Sequence, residues 1–354
     1  MISPSRKVPV AIAWPAALMG AEIEERHFQQ IAAVDSAISV RDISAIVRKE
    51  IEVRAKGGPR TQGEKRLIRQ LDRHFNEAEV IFGYNLPPRF VTRAPHLRWV
   101  QWCGAGIDKL VDDGSLHSDV AFTNAGGVMS VSIAEFIMAQ ILVLTKRVRE
   151  IFHRVDQHQW SKAGLGHSDL RGKTVGIIGL GHIGREVARL AKAFGTRVIA
   201  VDKVILSLYS PMPDVDQLLP LEKLPYLLQQ SDYVILTVPL TPGTTRMIGE
   251  PQFKLMKPEA YLINTSRGKV VDSAALLRAL KERWIAGAAI DVIDPEPLPP
   301  EHELWSLPNV VITPHCAGYS MRIIDNEVSF FCENLRRYLA GESLLNLIDK
   351  KAGY

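Results

Sequence analysis

The stretch that decides the fold of this chain runs from residue 174 to residue 184 and reads TVGIIGLGHIG. Its first part, Thr174–Ile178, is short and mostly apolar, which predicts a buried β-strand. The remaining six residues match the pattern G-x-G-x-x-G and lead into a predicted helix, Arg185–Phe194. A glycine turn alone is a weak signal, but one that joins a strand to a helix is typical of dinucleotide-binding proteins.

Each glycine of this turn has a predicted role. Gly179 permits the tight turn, Gly181 lets the backbone approach a pyrophosphate, and Gly184 lets the helix pack closely on the strand. The N-terminus of the helix offers N–H groups and a partial positive charge to the anion, and His182 and Ile183 lie between the second and third glycines of the turn. We therefore expect all five residues to contact a dinucleotide cofactor.

The next predicted strand, Arg197–Val201, leads into Asp202, eighteen residues after Gly184. A carboxylate at this position accepts hydrogen bonds from the adenosine ribose hydroxyls and repels a 2′-phosphate, which favours NAD over NADP. Lys203 is an opposing signal, because its ammonium group attracts that phosphate. We expect NAD to be the cofactor.

Outward from this unit, short apolar runs bounded by Pro, Gly or Asn alternate with segments compatible with helices. The predicted strands are Val8–Trp14, Glu79–Tyr84, Leu97–Trp102, Val120–Thr123, Thr174–Ile178, Arg197–Val201, Tyr233–Val238, Ala260–Ile263, Ala286–Ile290 and Val310–Ile312. The further predicted helices are Gly63–Phe75, Ser130–Val148 and Asp325–Leu339. This alternation is typical of α/β proteins with doubly wound parallel sheets.

The composition limits the class of protein. A chain of 354 residues fits two domains, and 43 basic against 39 acidic residues, 43 − 39 = +4, do not indicate a nucleic-acid-binding surface. The sequence has no apolar run of about eighteen residues that would span a membrane. Its three cysteines, Cys103, Cys316 and Cys332, share no metal-ligand spacing and form no even disulfide set. We expect a cytoplasmic protein with no metal and no nucleic-acid or membrane partner.

Each of the last three predicted strands is followed by a loop with a reactive side chain, in chain order Arg267, Glu296 and His315. The carboxyl ends of parallel strands share one edge of the sheet, so these loops can converge beside a nicotinamide. Reduction of a keto acid needs such a set. The arginine clamps the substrate carboxylate and polarises the ketone, and the histidine delivers a proton to the developing alkoxide. The carboxylate orients the imidazole and stabilises its protonated form.

Each of these residues also has a simpler interpretation. Arg267 can cap a helix C-terminus or pair with a surface acid, and Glu296 lies among four prolines as a solvated loop residue can. A single histidine such as His315 is more often packed than catalytic. The order of the three loops and the edge they share favour the catalytic interpretation.

These segments together resemble the D-isomer-specific 2-hydroxyacid dehydrogenases. The resemblance covers nearly the whole chain and is weakest before Phe75. The motifs that carry it are Leu170–Gly176 before the glycine turn, Asn264–Asp272, Ala288–Pro297 and Thr313–Gly318. It implies an enzyme that transfers a hydride between NAD(H) and a small 2-keto or D-2-hydroxy acid, with Arg267, Glu296 and His315 as the catalytic triad.

The resemblance implies further contacts. Asp291 holds the nicotinamide carboxamide, Pro239 lines the cofactor, and Thr265 contacts the cofactor through its backbone. The backbones of Ala105 and Gly106 bind the substrate carboxylate.

The resemblance also implies a division into domains. A Rossmann cofactor domain, residues 117–314, is inserted into a discontinuous flavodoxin-like substrate domain, residues 1–116 and 315–354. The active site then lies in the cleft between the domains. Members of the family are usually homodimers that join through the cofactor domain, with the long helix near Ser130–Val148 involved.

Two departures from the family pattern leave the substrate open. Trp102 and Cys103 stand where smaller or polar residues are more usual, and Cys316 stands where Ile, Thr or Ser is more common. Glyoxylate, hydroxypyruvate, pyruvate and bulkier keto acids all remain candidates.

Proteins that resemble this family have three other functions. Formate-oxidising relatives replace the catalytic glutamate by glutamine, so Glu296 argues against formate. Phosphite oxidation retains all three catalytic residues and stays open. Nucleotide-sensing corepressors of the same fold also keep the triad, but this sequence shows neither a long disordered tail nor a basic DNA-binding segment.

Overall fold

The computed structural model describes residues 6–14, 22–203 and 212–350, and these fall into two compact units. Unit 1 comprises the described residues of Met1–Met129 and Tyr319–Tyr354, and unit 2 comprises those of Ser130–Gly318. The predicted α/β class is confirmed, with one parallel sheet in each unit. Within the described ranges, no helix is long and apolar enough to cross a membrane.

The strands of the described residues are β1 Val8–Ala13, β2 Ile38–Asp42, β3 Val80–Gly83, β4 Trp99–Trp102, β5 Ala121–Thr123, β6 Thr174–Ile178, β7 Arg197–Asp202, β8 Gln217–Pro220, β9 Tyr233–Leu236, β10 Tyr261–Asn264, β11 Gly287–Ile290 and β12 Val310–Ile312. The α-helices are α1 Glu25–Ala32, α2 Ser44–Lys56, α3 Gln62–Glu77, α4 Phe90–Arg93, α5 Asp108–Asp112, α6 Ser130–Thr145, α7 Val148–Asp156, α8 His182–Ala193, α9 Leu224–Gln230, α10 Glu250–Phe253, α11 Ser273–Lys281 and α12 Ile323–Ala340. Short 3-10 helices are Ser115–His117, Leu221–Lys223, Gly268–Val270 and Glu303–Ser306.

The sheet of unit 1 has five parallel strands in the order β2-β1-β3-β4-β5. This is the flavodoxin-like order that the family resemblance implied. Every residue of β3 and β4 is buried, as expected for inner strands of a parallel sheet, which read as continuous apolar runs. The sequence pattern does not predict β2, because this edge strand buries only Ile38 and carries no apolar run.

The helix α12 packs on the sheet of unit 1, although it is distant in sequence. Its Phe331 stacks on Phe82 of β3 with ring centroids 4.4 Å apart, and Trp99 of β4 lies 5.4 Å from the same ring. The predicted helix Asp325–Leu339 is therefore confirmed, with slightly wider bounds, and it completes the aromatic core of this unit.

The sheet of unit 2 has seven parallel strands in the order β12-β11-β10-β9-β6-β7-β8. Counted from β6, this is the doubly wound order of a Rossmann domain with β12 added at one edge. The direction of winding reverses at β6, which lies between β7 and β9, and such sheets bind ligands at the carboxyl ends of the strands there. The opposite edge strand, β8, is not predicted from the sequence because none of its residues is fully buried.

One predicted helix is in fact two. The apolar spacing predicts a single helix over Ser130–Val148, but α6 ends at Thr145 and α7 begins at Val148. Arg147 between them has a left-handed backbone with a φ of 52°. Side-chain periodicity does not report such a break, because the apolar positions continue across it.

The boundaries of the two units differ from those that the family resemblance implied. Residues 117–129 lie in unit 1, because β5 pairs with β4 in its sheet. Residues 315–318 lie in unit 2, because the backbone N–H groups of His315 and Ala317 both bond to Asp291.

Candidate active site

The three loops with reactive side chains are neighbours at one edge of the sheet of unit 2. Their strands β10, β11 and β12 are adjacent, and the last residues Asn264, Ile290 and Ile312 lie opposite one another in the register. Arg267 and His315 each follow three residues after such an aligned strand end. The convergence expected from the sequence is therefore a consequence of strand order and register.

The loop that carries Arg267 is shaped by the side chain of Asn264. The Asn264 Oδ1 atom accepts hydrogen bonds from Ser266 N at 3.1 Å and from Ser266 Oγ at 2.8 Å. Its Nδ2 atom donates to the carbonyl of Arg267 at 3.2 Å. Because Asn264 itself is buried, these bonds hold the backbone of Arg267 in an extended conformation above the end of the strand.

Gly268 brings this loop into backbone contact with the loop that carries Glu296. A Cβ atom at position 268 would lie 2.1 Å from the carbonyl carbon of Ile293 and 2.7 Å from the amide nitrogen of Asp294. A second link is the Ser273 hydroxyl, which donates to the carbonyl of Asp294 at 2.6 Å. Glycine is therefore required at position 268 so that the two loops can touch.

His315 and Glu296 form a direct pair. The Nδ1 atom of His315 lies 2.7 Å from Oε1 of Glu296, and the two side chains are 48% and 43% exposed. With the carboxylate ionised, Nδ1 is the donor. The Nε2 atom of His315 makes no hydrogen bond within the described part of the chain, so it is the ring nitrogen left for a substrate.

The backbone of His315 is left-handed, with a φ of 53°, and Asp291 holds it there. The N–H of His315 donates to the carbonyls of Asp291 at 2.8 Å and of Thr313 at 3.0 Å. The buried Asp291 carboxylate accepts from the Thr313 hydroxyl at 2.6 Å and from the N–H groups of Cys316 and Ala317, each at 3.0 Å. A residue in this sparsely populated region persists only when its surroundings fix it, which these bonds do.

Gln140 of α6 extends this network and was missed by the sequence analysis. Its Nε2 atom donates to the Thr313 hydroxyl at 3.3 Å, and its Oε1 atom is buried with no partner among the described residues. A polar residue in a helix whose other buried positions are mostly apolar is the signal that identifies such a position.

The glycines of the turn after β6 lie in three different environments. A Cβ atom on Gly179, whose φ is +97°, would lie 2.9 Å from Val238, and one on Gly184 would lie 2.2 Å from the Gly179 carbonyl oxygen. A Cβ atom on Gly181 would meet nothing within 4 Å. Gly181 is also the N-cap residue of helix α8, which starts at His182 and Ile183. No side chain caps the N–H groups at this end of the helix. Open space beside uncapped helical N–H groups fits a pyrophosphate.

The other residues predicted to contact a cofactor follow neighbouring strands at the same edge. Asp202 ends β7, and its Oδ2 atom accepts from Leu180 N at 2.6 Å, which ties the glycine turn to the adjacent strand. Pro239 follows β9 and is exposed, and Thr265 follows β10 with its Oγ1 atom buried and unpartnered among the described residues. Lys203 is exposed next to Asp202.

In unit 1, the loop 104–106 has its three carbonyl groups bound to the scaffold. The N–H of Ala125 donates to the carbonyl of Gly104 at 3.0 Å, and Nδ2 of Asn124 donates to the carbonyl of Ala105 at 3.1 Å. The indole N–H of Trp102 donates to the carbonyl of Gly106 at 3.0 Å. The N–H groups of Ala105 and Gly106 have no partner among the described residues. Successive backbone N–H groups can together bind an anion. The unusual Trp102 thus has a defined role in holding this loop.

Comparison with known proteins identifies related sequences and structures. A family model described as the NAD binding domain of D-isomer specific 2-hydroxyacid dehydrogenases matches residues 138–317, which include the glycine turn and all three loops. A glyoxylate reductase of Korarchaeum cryptofilum is 41% identical over 263 residues, 73% of this chain and 78% of the relative. A glyoxylate reductase of Aeropyrum pernix is 37% identical over 276 residues, 74% and 79% of the two chains.

A solved structure is similar over nearly the whole chain. A D-isomer specific 2-hydroxyacid dehydrogenase from Xanthobacter autotrophicus Py2, in complex with NADPH and MES, superposes with a TM-score of 0.78 at 27% identity and covers 99% of this chain and 100% of that one. The likeness therefore extends beyond the region that the family model matches.

Proposed function

The chain belongs to the family of D-isomer specific 2-hydroxyacid dehydrogenases, and we propose that it reduces glyoxylate, or a 2-keto acid of similar size, with NADH. The observation that carries this proposal is the 2.7 Å contact between His315 and Glu296, in loops adjacent to the loop of Arg267. Relatives at 37% and 41% identity are glyoxylate reductases, which supports a small substrate.

We assign His315 as the proton donor. NADH, when bound, would supply the hydride that reduces the carbonyl carbon next to the substrate carboxylate. Because Nδ1 of His315 donates to Glu296, Nε2 is the atom that gives its proton to the developing alkoxide. The charge-assisted hydrogen bond to Glu296 stabilises the imidazolium and fixes the orientation of the ring. Both side chains are about half exposed, so water can return the proton after turnover.

We assign Arg267 and the loop of unit 1 to substrate binding. The guanidinium group of Arg267 presents a planar fork that matches a carboxylate or a polarised ketone oxygen. Asn264 and Gly268 hold its backbone in place, so the arginine is presented by a rigid loop. The N–H groups of Ala105 and Gly106 supply further donors to the substrate carboxylate.

We assign the cofactor to the carboxyl edge of the sheet of unit 2, with the pyrophosphate at Gly181. Asp202 beside the turn favours NADH, because its negative charge opposes a 2′-phosphate. Two observations favour NADPH instead. Lys203 is exposed beside Asp202, and the Xanthobacter autotrophicus protein was solved in complex with NADPH. The remaining residues assigned to the cofactor are Gly179, His182, Ile183, Gly184, Pro239, Thr265 and Asp291.

We propose that the protein is a homodimer that joins through unit 2. No residue of α7 is buried, and Phe152 and Val155 on this helix are 62% and 54% exposed. Trp160, just beyond it, is fully exposed. A second copy would cover this apolar surface. Sedimentation equilibrium of Phe152→Glu tests the assignment: the wild type should be a dimer and the variant a monomer, whereas equal masses would exclude this face.

We place the enzyme in the cytoplasm. Its three cysteines are free, and two of them are buried. Free thiols persist in a reducing compartment.

The experiment that tests the activity follows the loss of NADH absorbance with glyoxylate, hydroxypyruvate, pyruvate and a bulky keto acid, and repeats the series with NADPH. Glyoxylate and NADH should give the highest kcat/KM, and His315→Gln should abolish turnover while the exposed control His96→Gln retains it. Turnover of phosphite with NAD but of no keto acid would overturn the proposal.

A further inference from the structure

A buried carboxyl group lies against the loop 104–106 of unit 1. Glu327 of α12 is 0% exposed, and its Oε1 atom accepts a hydrogen bond from the N–H of Gly104 at 3.1 Å. Its Oε2 atom is buried and has no partner among the described residues. The position lies on the apolar stripe of the helix, next to buried Val328 and one turn from Phe331.

The surroundings of Glu327 favour a neutral acid. Burial raises the pKa of its carboxyl group from 4.5 to about 8, and only the Gly104 hydrogen bond opposes this rise. The titratable group that faces it from the loop after β4 is the thiol of Cys103, whose own pKa is raised by burial and by the charge of Glu327. His27 of α1, which faces the same helix, bonds to Asp325 at 2.9 Å. Among the described residues, no cationic side chain forms an ion pair with Glu327.

The hydrogen bond from Gly104 to Glu327 adds to the bonds that hold the loop 104–106 in place. Scaffold donors hold the three carbonyl groups of residues 104–106, and Glu327 holds the N–H of Gly104. The N–H groups of Ala105 and Gly106 are then the donors that remain for an anion. Glu327 bonds to the N–H of Gly104, which is next in sequence to these donors, so a negative charge on Glu327 would act close to them with little water to screen it and would repel that anion.

We propose that Glu327 is a positioning residue for the substrate carboxylate: its neutral form fixes the Gly104–Gly106 loop for anion binding, and its ionised form weakens that binding. The proposal rests on the proposed function only in that it takes this loop to bind the carboxylate of a 2-keto acid. It adds a pH dependence of substrate affinity that is separate from proton donation by His315.

Direct binding of oxamate, a non-reducible keto-acid analogue, to the complex with NADH tests the proposal. The wild-type Kd should rise between pH 7 and pH 9 by several-fold to about tenfold, since a group with a pKa near 8 becomes mostly ionised over this interval. Glu327→Gln keeps an acceptor for Gly104 but cannot ionise, so this rise should disappear. Glu327→Leu removes the acceptor and should weaken binding about tenfold already at pH 7, by leaving the N–H of Gly104 unsatisfied. The matched control is Glu333→Gln, a half-exposed carboxylate on the same helix, which should keep the wild-type profile.

Kinetics separate positioning from catalysis. With glyoxylate, Glu327→Gln should flatten the pH profile of KM and leave the pH profile of kcat as in the wild type. Hydrogen exchange of the Gly104 amide should be faster in Glu327→Leu than in Glu327→Gln, which tests the contact without turnover.

The outcomes distinguish the two proposals. If no keto acid is reduced but oxamate binds with the expected dependence on pH, the proposed reaction fails and the role of Glu327 stands. If the Kd of oxamate has the same pH dependence in wild type and Glu327→Gln, or if oxamate does not bind the wild type, the role of Glu327 is overturned.

Discussion

The Asp291 carboxylate accepts a hydrogen bond from the Thr313 hydroxyl at 2.6 Å and thereby joins the ends of two neighbouring strands. The two residues follow β11 and β12, and between them they fix the backbone on both sides of His315. Because the donor histidine lies in a left-handed conformation, this connection determines where its imidazole can be.

Asp291→Ala should therefore impair both stability and catalysis. It leaves the Thr313 hydroxyl and the N–H groups of Cys316 and Ala317 without their acceptor, which should cost roughly 2–4 kcal/mol of unfolding free energy. The kcat should fall by about 10²-fold, because displacing a catalytic group by an ångström has that effect. Urea unfolding and steady-state kinetics measure the two changes. Thr313→Val, which removes one of the three bonds, should show a smaller loss of each kind, and an equal or larger loss would contradict this account.

Arg267→Lys should lose most activity with keto acids. An ammonium group cannot reproduce the planar fork of the guanidinium, so kcat/KM for glyoxylate should fall by roughly 10²-fold or more. The Kd of NADH, measured by fluorescence titration, should stay within about twofold. Arg283→Lys, at an exposed position, is the matched control. Near-native kcat/KM in Arg267→Lys would mean that the arginine has only a structural role.

Glu296→Gln should lower kcat for reduction by about 10²-fold, because the amide keeps the shape of the side chain but cannot stabilise the imidazolium. Substrate affinity should change much less, since we assign Glu296 to act through His315. The comparison is steady-state kcat with protonated and deuterated cofactor, so that hydride transfer is known to limit the rate. A variant with wild-type kcat under those conditions would remove Glu296 from the mechanism.

Gly181→Ala should separate cofactor binding from folding. Its φ is −75° and a Cβ atom would meet nothing within 4 Å, so the unfolding free energy should change by less than about 1 kcal/mol. If a pyrophosphate occupies that space, the Kd of NADH should rise at least about tenfold. Gly184→Ala is the contrast, because its Cβ atom would lie 2.2 Å from a carbonyl oxygen and should destabilise the fold as well. Unchanged NADH affinity in Gly181→Ala would place the pyrophosphate elsewhere.

The stability of the protein should fall as pH rises from about 5 to 8, through Glu327. Its pKa is about 8 in the folded chain and near 4.5 when exposed, so over this interval the folded state binds a proton that the unfolded state has lost. The contribution is fully present below the unfolded pKa and is lost as pH rises through the folded pKa, with a slope of up to roughly 1.4 kcal/mol per pH unit. Denaturant unfolding of wild type and Glu327→Gln at several pH values measures the difference, and parallel curves would contradict it.

The sequence by itself determined the fold class and the order along the chain of the loops that carry the reactive side chains. Central strands such as Thr174–Ile178 are buried on both faces of a parallel sheet, so their apolar runs are visible without any tertiary information. The glycine turn is equally local, because its strand, turn and helix are consecutive. Strand order then places the loops of Arg267 and His315 on one edge. Edge strands such as β2 and β8 left no such pattern, because their side chains are only partly buried.

The tertiary structure alone decided how the reactive groups are held. The bonds of Asp291 to Thr313 and of Gln140 to Thr313 span 22 and 173 residues, and the bond of Gly104 to Glu327 spans 223. In the sequence, Glu327 reads as one charged residue of an amphipathic helix, and Gln140 as one polar residue of an apolar helix. Gln140 reaches Thr313, and Glu327 reaches Gly104, only because the fold packs loops and helices from distant parts of the chain against each other. Burial at these positions excludes water, so a single hydrogen bond or charge there is electrostatically stronger than in solvent. A local sequence pattern does not predict which residues are buried in this way.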